Sequence, residues 1–224
     1  NLKPMKKLLL ILLCVPLIGL GQCISGDCED GYGTHISDFG DKYIGEFKNG
    51  MPHGEGFYIL VNGDKYIGEF KEGYKFGKGC YTMLNGDKYV GEFNENGKNG
   101  YGSYTFGGNW KIYSFYEGEW KDDEIDGYGL MLFKQGVKDY KYEGNWRSGL
   151  PNGFGTSIDT NGTKYIGEWK DGNPHRKGTI IYANGDKYIG EFKNNLFDGI
   201  GRYIYSDGRV EEGRFMIGVY IGKE

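Results

Sequence analysis

The side chains able to do acid–base or metal chemistry are scattered along this chain. His35, His53 and His175 lie far apart. His53 and His175 each sit in a short link between two apolar runs, where a hydrogen-bonded turn residue is the ordinary outcome. Carboxylates recur at Glu46, Glu69, Glu92, Glu119, Glu168 and Glu191, and lysines at Lys42, Lys65, Lys88, Lys164 and Lys187. A column of this kind can bind cations, but more often it forms a solvated face of cross-strand ion pairs, each worth little. No Cys-x-x-Cys, His-Glu-x-x-His, Gly-x-Ser-x-Gly or Walker loop occurs. The many Gly-x-Gly pairs are followed by aromatic and β-branched residues, so no helix N-terminus is there to cradle a phosphate. The Asn-Gly-Asp turns lack the glycine spacing of calcium-binding nonapeptides. These residues predict a non-enzymatic chain with no catalytic residue, no metal and no cofactor.

The elements that hold these groups are written in a repeat. Tyr43-Ile44-Gly45-Glu46-Phe47 returns with lead residues Tyr66, Tyr89, Tyr116, Tyr142, Tyr165 and Tyr188, and a worn copy begins at Glu211. The commonest spacing is 23 residues, as from Tyr43 to Tyr66. Eleven residues after the lead Tyr comes Gly-x-Gly, as in Gly54-Glu55-Gly56, then a run such as Phe57-Tyr58-Ile59, then Asn62-Gly63-Asp64. Neither half is long enough for a helix, and both are rich in Tyr, Phe and Ile, so each repeat reads as two short antiparallel strands. Asn-Gly between apolar runs predicts type I′ hairpin turns at 62–63, 85–86, 161–162 and 184–185. Alternation puts Tyr43, Gly45 and Phe47 on one face and Ile44 and Glu46 on the other. The rings should then form ladders, each covering the glycine of the next repeat, because no repeat can bury its rings alone.

This pattern resembles the MORN repeat (membrane occupation and recognition nexus). Tyr43 to Gly56 matches that family's Tyr-x-Gly-x-Phe/Trp-x-x-Gly-x-x-x-Gly-x-Gly position by position. The resemblance implies an all-β fold, an elongated, single-layer, twisted sheet of consecutive antiparallel β-hairpins. It also implies protein–protein interaction or membrane association. The kinase and methyltransferase domains that accompany such repeats elsewhere have no room here.

Three segments are expected. Residues 1–21 read as a signal peptide, with Met5-Lys6-Lys7 ahead of the apolar run Leu8 to Leu20, upstream read-through at 1–4 and cleavage after Gly21. That run is too short to span a bilayer as a helix. Leu20-Gly21-Gln22-Cys23 also resembles a lipobox, from which Gln22 departs, so a lipoprotein at Cys23 competes. Residues 22–29 read as a linker, and 30–224 as the array: a half-repeat at 30–42, then eight repeats, ending on a first half at Gly222. The bacterial style of the leader points to the periplasm, the cell envelope or secretion.

Without residues 1–21 the chain carries 24 basic and 31 acidic residues, a net charge of about −7. That argues against nucleic acid and against simple adhesion to anionic lipid. Cys23 and Cys28 can pair across a small loop, and Cys80 replaces Phe57 or Leu130 of other repeats as a buried thiol. The sheet edges left at either end could pair with a second copy.

The period stretches to 27 between Tyr89 and Tyr116 and to 26 between Tyr116 and Tyr142. Both extra stretches should project as turns from one edge, and both are aromatic. Trp110, Ile112, Tyr113, Phe115, Phe133, Val137 and Tyr140 are therefore the candidate partner-binding residues. The leading reading is a protein-interaction scaffold; a membrane-lipid module and an envelope-glycan module compete with it.

Overall fold

The computed structural model describes residues 21–107, 112–135 and 138–223. Its described residues contain eighteen strands and no helix. In chain order these are β1 (Gly21–Gly26), β2 (Tyr32–Ser37), β3 (Lys42–Lys48), β4 (Met51–Ile59), β5 (Lys65–Lys71), β6 (Tyr74–Thr82), β7 (Lys88–Asn94), β8 (Gly97–Thr105) and β9 (Ile112–Lys121). There follow β10 (Glu124–Gln135), β11 (Lys138–Arg147), β12 (Leu150–Ile158), β13 (Lys164–Lys170), β14 (Asn173–Ile181), β15 (Lys187–Lys193), β16 (Leu196–Ile204), β17 (Val210–Met216) and β18 (Val219–Gly222). From β1 to β8, and again from β10 to β18, each strand pairs antiparallel with the next. The expected single layer of consecutive hairpins is what forms. Two compact units divide it: residues 1–108 with 120–123, and residues 109–119 with 124–224.

The alternation read from the sequence sets the faces. Along β3, Tyr43, Gly45 and Phe47 are buried while Glu46 and Lys48 are exposed. In the first unit the rings form a herringbone, Phe47–Tyr43–Phe70–Tyr66–Phe93–Tyr89–Trp120, with centroids 5.0 to 5.2 Å apart and planes 80 to 90° apart. The second unit repeats it through Tyr142, Tyr165 and Tyr188, each between two aromatic rings. Edge-to-face pairs of this kind add about 0.5–1.5 kcal/mol each beyond the area they bury.

The glycines make this approach possible, with one correction. The Tyr43 ring lies over Gly45 and Gly56 of its own repeat, where a Cβ would overlap it, not over the next repeat's glycine. Folding back this way lets the Tyr43 hydroxyl donate to Glu46 O at 2.9 Å, so a buried polar group is satisfied locally. Tyr66, Tyr89, Tyr142, Tyr165 and Tyr188 do the same.

The turns differ from expectation in type. At Asn62-Gly63 only the glycine has positive φ (92°), and Gly63 N–H donates to Leu60 O. Asn85-Gly86, Asn161-Gly162 and Asn184-Gly185 behave likewise. These are turns closed by a left-handed glycine rather than type I′. The two-residue turns with both φ positive lie inside the repeat, as at Asn49 (50°) and Gly50 (71°).

Both ends carry one strand more than expected. Residues 22–29 are not a plain linker: β1 covers the edge of β2, and Cys23 and Cys28 are disulfide-bonded. At the other end Ile217 and Gly218 turn the chain, so β18 pairs with β17 where a lone first half was expected. In each case backbone donors that would stand bare find partners. The second stretched period is also strand rather than turn. β10 and β11 extend their pairing through Phe133↔Tyr140, Lys134↔Asp139 and Gln135↔Lys138. Cross-strand aromatics favour such an extension. Of the expected leader at 1–21, residues 1–20 lie outside the described residues and Gly21 opens β1.

Candidate functional site

Of the seven residues singled out around the stretched periods, the side chains of Phe115, Phe133 and Tyr140 are described. Trp110 and Val137 lie outside the described residues, and Ile112 and Tyr113 are placed only as backbone at the start of β9. Phe133 and Tyr140 do meet, with ring centroids 6.0 Å apart. They lie two residues beyond the buried Met131 and Tyr142 on the ring face, where Tyr140 is half-buried and Phe133 is exposed. Burial pushes the Tyr140 phenol up, partly offset by a hydrogen bond with the buried Ser157. Phe115, next to the buried Tyr116, falls on the opposite face by alternation.

The recurrent carboxylates are structural. Beside each Gly-x-Gly the register jumps, as between Gly45↔Gly56 and Phe47↔Pro52, so three residues of β4 face Glu46 alone. The bulge frees a backbone N–H, and the carboxylate takes it. Glu69 accepts from Lys78 N at 2.9 Å, Glu119 from Tyr128 N at 2.8 Å and Glu191 from Ile200 N at 2.9 Å. Among the described residues Glu168 is the member of this column with a cross-strand ion pair, to Arg176, so the column is not in the main a face of such pairs. Among the described residues Lys42, Lys65, Lys88, Lys164 and Lys187 join no salt bridge.

The turn aspartates tie one repeat to the next. Asp64 accepts the Tyr81 hydroxyl at 2.8 Å and Leu84 N at 2.9 Å, and Asp41, Asp87 and Asp186 repeat the pattern. Burial alone would raise the Asp64 pKa, but the Leu84 N–H, the Tyr81 hydroxyl and Asn62 hold it below the usual carboxylate range. No group of three or more potential metal ligands occurs among the described residues. His53 O accepts the Tyr43 hydroxyl at 3.4 Å, as suits a turn residue. Cys80 is free and half-buried.

A further candidate surface is the face away from the rings. In the second unit the register lines up Thr156, Ile166, Thr179 and Ile189 across four strands. Beside them run the middle residues of Gly-x-Gly, among them Phe154 and Ile200. Phe154, Ile189 and Ile200 are 59, 41 and 46% exposed. With Lys177 and Glu191 these residues line an open groove of about 550 Å³. A second groove of about 510 Å³, lined by Glu168, His175, Arg176 and Asp198 among others, adjoins it through the shared Lys177 and Glu191. Sequence reasoning passed over this face by assigning it to solvated charge. The signal was present in the apolar residues Tyr32, Tyr101, Tyr128, Phe154 and Ile200, at a position the ladder does not use.

The repeating geometry also settles the family. The MORN-repeat model matches residues 43–65, 66–88, 89–111, 116–138, 142–164, 165–187 and 188–208. The chain belongs to the MORN-repeat family. No curated protein matches this MORN-repeat chain. Among solved structures it is similar to the TCP domain of Drosophila melanogaster SAS-4 in complex with a proline-rich motif of Ana2, at 10% identity, 96% coverage of this chain, 97% of that one and a TM-score of 0.35. It is also similar to a catalytically inactive virginiamycin B lyase from Staphylococcus aureus with quinupristin, at 12% identity, 91 and 90% coverage and a TM-score of 0.18. Likenesses this weak carry no argument about fold or function.

One MORN repeat departs from the others beside the groove. Where six repeats have a positive-φ glycine (Gly54, Gly77, Gly100, Gly127, Gly153 and Gly199), this one has Arg176 at φ 52°. Its guanidinium stands 3.7 Å from Glu168. His175, the residue before it, has a buried Nδ1 with no hydrogen-bond partner among the described residues.

Proposed function

We propose that this protein is an exported, non-catalytic MORN-repeat module that holds another protein on the ring-free face of its second unit. The observation that carries the reading is the groove of about 550 Å³, with Phe154, Ile189 and Ile200 standing in solvent. Isolated apolar residues are common on surfaces, but a registered row in a concave site is what contact surfaces use. The Met5-Lys6-Lys7 leader supports export, and the Cys23–Cys28 disulfide suits an oxidising compartment. A Cys23 sulfur committed to Cys28 is not free to form a thioether to lipid, which favours release over anchoring at that residue.

The test is site-specific photocrosslinking in the native envelope. A crosslinker at Ile189 should trap one discrete partner, lost in a Phe154→Ser variant. If the partner is instead trapped from Tyr113 and lost with Trp110→Ala, the site lies in the stretched repeats and this reading fails.

A second reading is favoured by Lys164 and Lys187, which join no ion pair among the described residues and alternate with Ile158 and Ile181 across one register line of the same face. Cations interleaved with apolar side chains suit an anionic phospholipid surface. Flotation with phosphatidylglycerol liposomes at low salt decides it: protein left at the bottom of the gradient removes the lipid reading.

A further inference from the structure

Opposite the motif aromatic, on the ring face of the first unit, two repeats place a lysine. Lys75 pairs with Phe70 and Lys98 with Phe93, one repeat apart. Both amines are framed by aromatic rings. Lys98 Nζ stands 5.2 Å from the Trp120 ring centroid and 5.8 Å from those of Tyr89 and Tyr104. Lys75 Nζ stands 4.3 Å from Tyr81 and 5.6 Å from Tyr66.

The two sites differ in what completes them. Asp123, in the turn of the following repeat, places Oδ1 3.1 Å from Lys98 Nζ and accepts Lys98 N–H at 3.0 Å. The same position one repeat earlier, seven residues after the lead Tyr, is Asn96. Asn96 contributes no carboxylate, and the Lys75 amine has no hydrogen-bond acceptor among the described residues. The nearby carboxylate of Asp64 is already taken by Tyr81 and Leu84. Among the described residues, one aromatic-framed lysine thus bonds a carboxylate directly, and a second, built alike, has Asp123 and Asp64 acting on its charge without a bond to either.

We infer that the Lys75 site receives a carboxylate side chain from an acidic peptide segment of a partner, in the manner that Asp123 serves Lys98. Ammonium on aromatic faces and a charge-assisted bond to carboxylate act together in such a frame. Two further observations agree. Burial lowers the Lys75 amine to about 8, opposed by Asp123 and Asp64 and helped least by the Lys98 charge. An added carboxylate would relieve that cost. The other repeats fill the position with Pro52, Pro151, Pro174 or Phe197, so the ladder does not require lysine there.

The site lies in the first unit and does not depend on the groove of the second. The probe is an end-blocked hexaglutamate peptide, titrated calorimetrically at low salt into the mature full-length chain. Lys75→Met should weaken binding at least tenfold. Asn96→Asp should do the same by supplying the carboxylate internally, while keeping the wild-type melting temperature. Lys48→Met, exposed on the opposite face of the same unit, should bind as wild type. The inference is overturned if the wild type does not bind, if Lys75→Met and folded Asn96→Asp both bind as wild type, or if Lys48→Met loses binding equally.

Discussion

Opposite the motif aromatic, the first unit presents Pro52, Lys75 and Lys98, whereas the second presents Pro151, Pro174 and Phe197. Phe197 stacks on Tyr188 at 3.8 Å and 13°, so there the position simply extends the apolar layer. In the first unit the same position carries charge over rings. The ladder is common to both units; the difference lies in slots that it leaves unspecified. In this protein, specific chemistry is to be sought in residues the repeat does not need.

The sharpest way to break that comparison is to strike what the units share. Tyr66→Ala in the first and Tyr142→Ala in the second each remove a fully buried ring, and each should cost roughly 3–5 kcal/mol in urea unfolding. Equal costs would show that the ladder does not distinguish the units; a cost under about 1 kcal/mol in either would remove the ladder as its main support.

Cutting a turn tie comes next. Asp64→Ala in the first unit and Asp186→Ala in the second each strand a tyrosine hydroxyl and a backbone N–H, for about 1–3 kcal/mol. A drop in melting temperature of similar size for both is expected.

Titration separates the units. Tyrosines in both have phenols raised by burial, Tyr188 to about 12, whereas an unfolded tyrosine ionises near 10. The unfolded chain therefore loses these protons first, and stability should fall as pH rises past about 10. Lys75 works the other way. Its folded value of about 8 lies below the unfolded value of about 10.4, so between them the unfolded chain holds a proton that the folded chain lacks. Stability of the first unit should climb from pH 8 toward 10, by on the order of 1 kcal/mol after allowing for solvent screening. Melting of wild type against Lys75→Met over pH 7–10 checks this, since only the wild type should gain.

The smallest effect on stability is expected at the groove. Phe154→Ser and Ile189→Ser are exposed changes and should stay within about 0.5 kcal/mol of wild type while abolishing partner capture. A large stability loss would mean that the groove residues are core after all.

Much of the fold was legible because it is periodic. Tyr43, Gly45 and Phe47 announce one buried face by alternation, and their recurrence fixes a hairpin array without a helix. What was not legible depends on contacts that a period does not encode. Glu69 looks like a solvated acid until the bulge frees Lys78 N–H for it to bind. Asn62-Gly63 looks like a type I′ turn until Asp41 of the preceding turn binds Val61 N–H and Leu60 O accepts Gly63 N–H. The candidate site was less legible still. Trp110 and Phe115 stand out by breaking the period, whereas Phe154 and Lys75 hide within regular repeats, at positions where any side chain preserves the pattern.

The double packing of each tyrosine has a further consequence. Tyr43 sits between Phe47 of its own repeat and Phe70 of the next, and Tyr66 between Phe70 and Phe93. Excising residues 66–88 would bring Phe93 against Tyr43 in the place that Phe70 now holds. Every joint in the regular stretches is interchangeable, so the gene can lengthen or shorten by whole copies without inventing a new interface. Such a protein is free to evolve in length like a ruler cut to measure, while its distinctive slots drift to new uses.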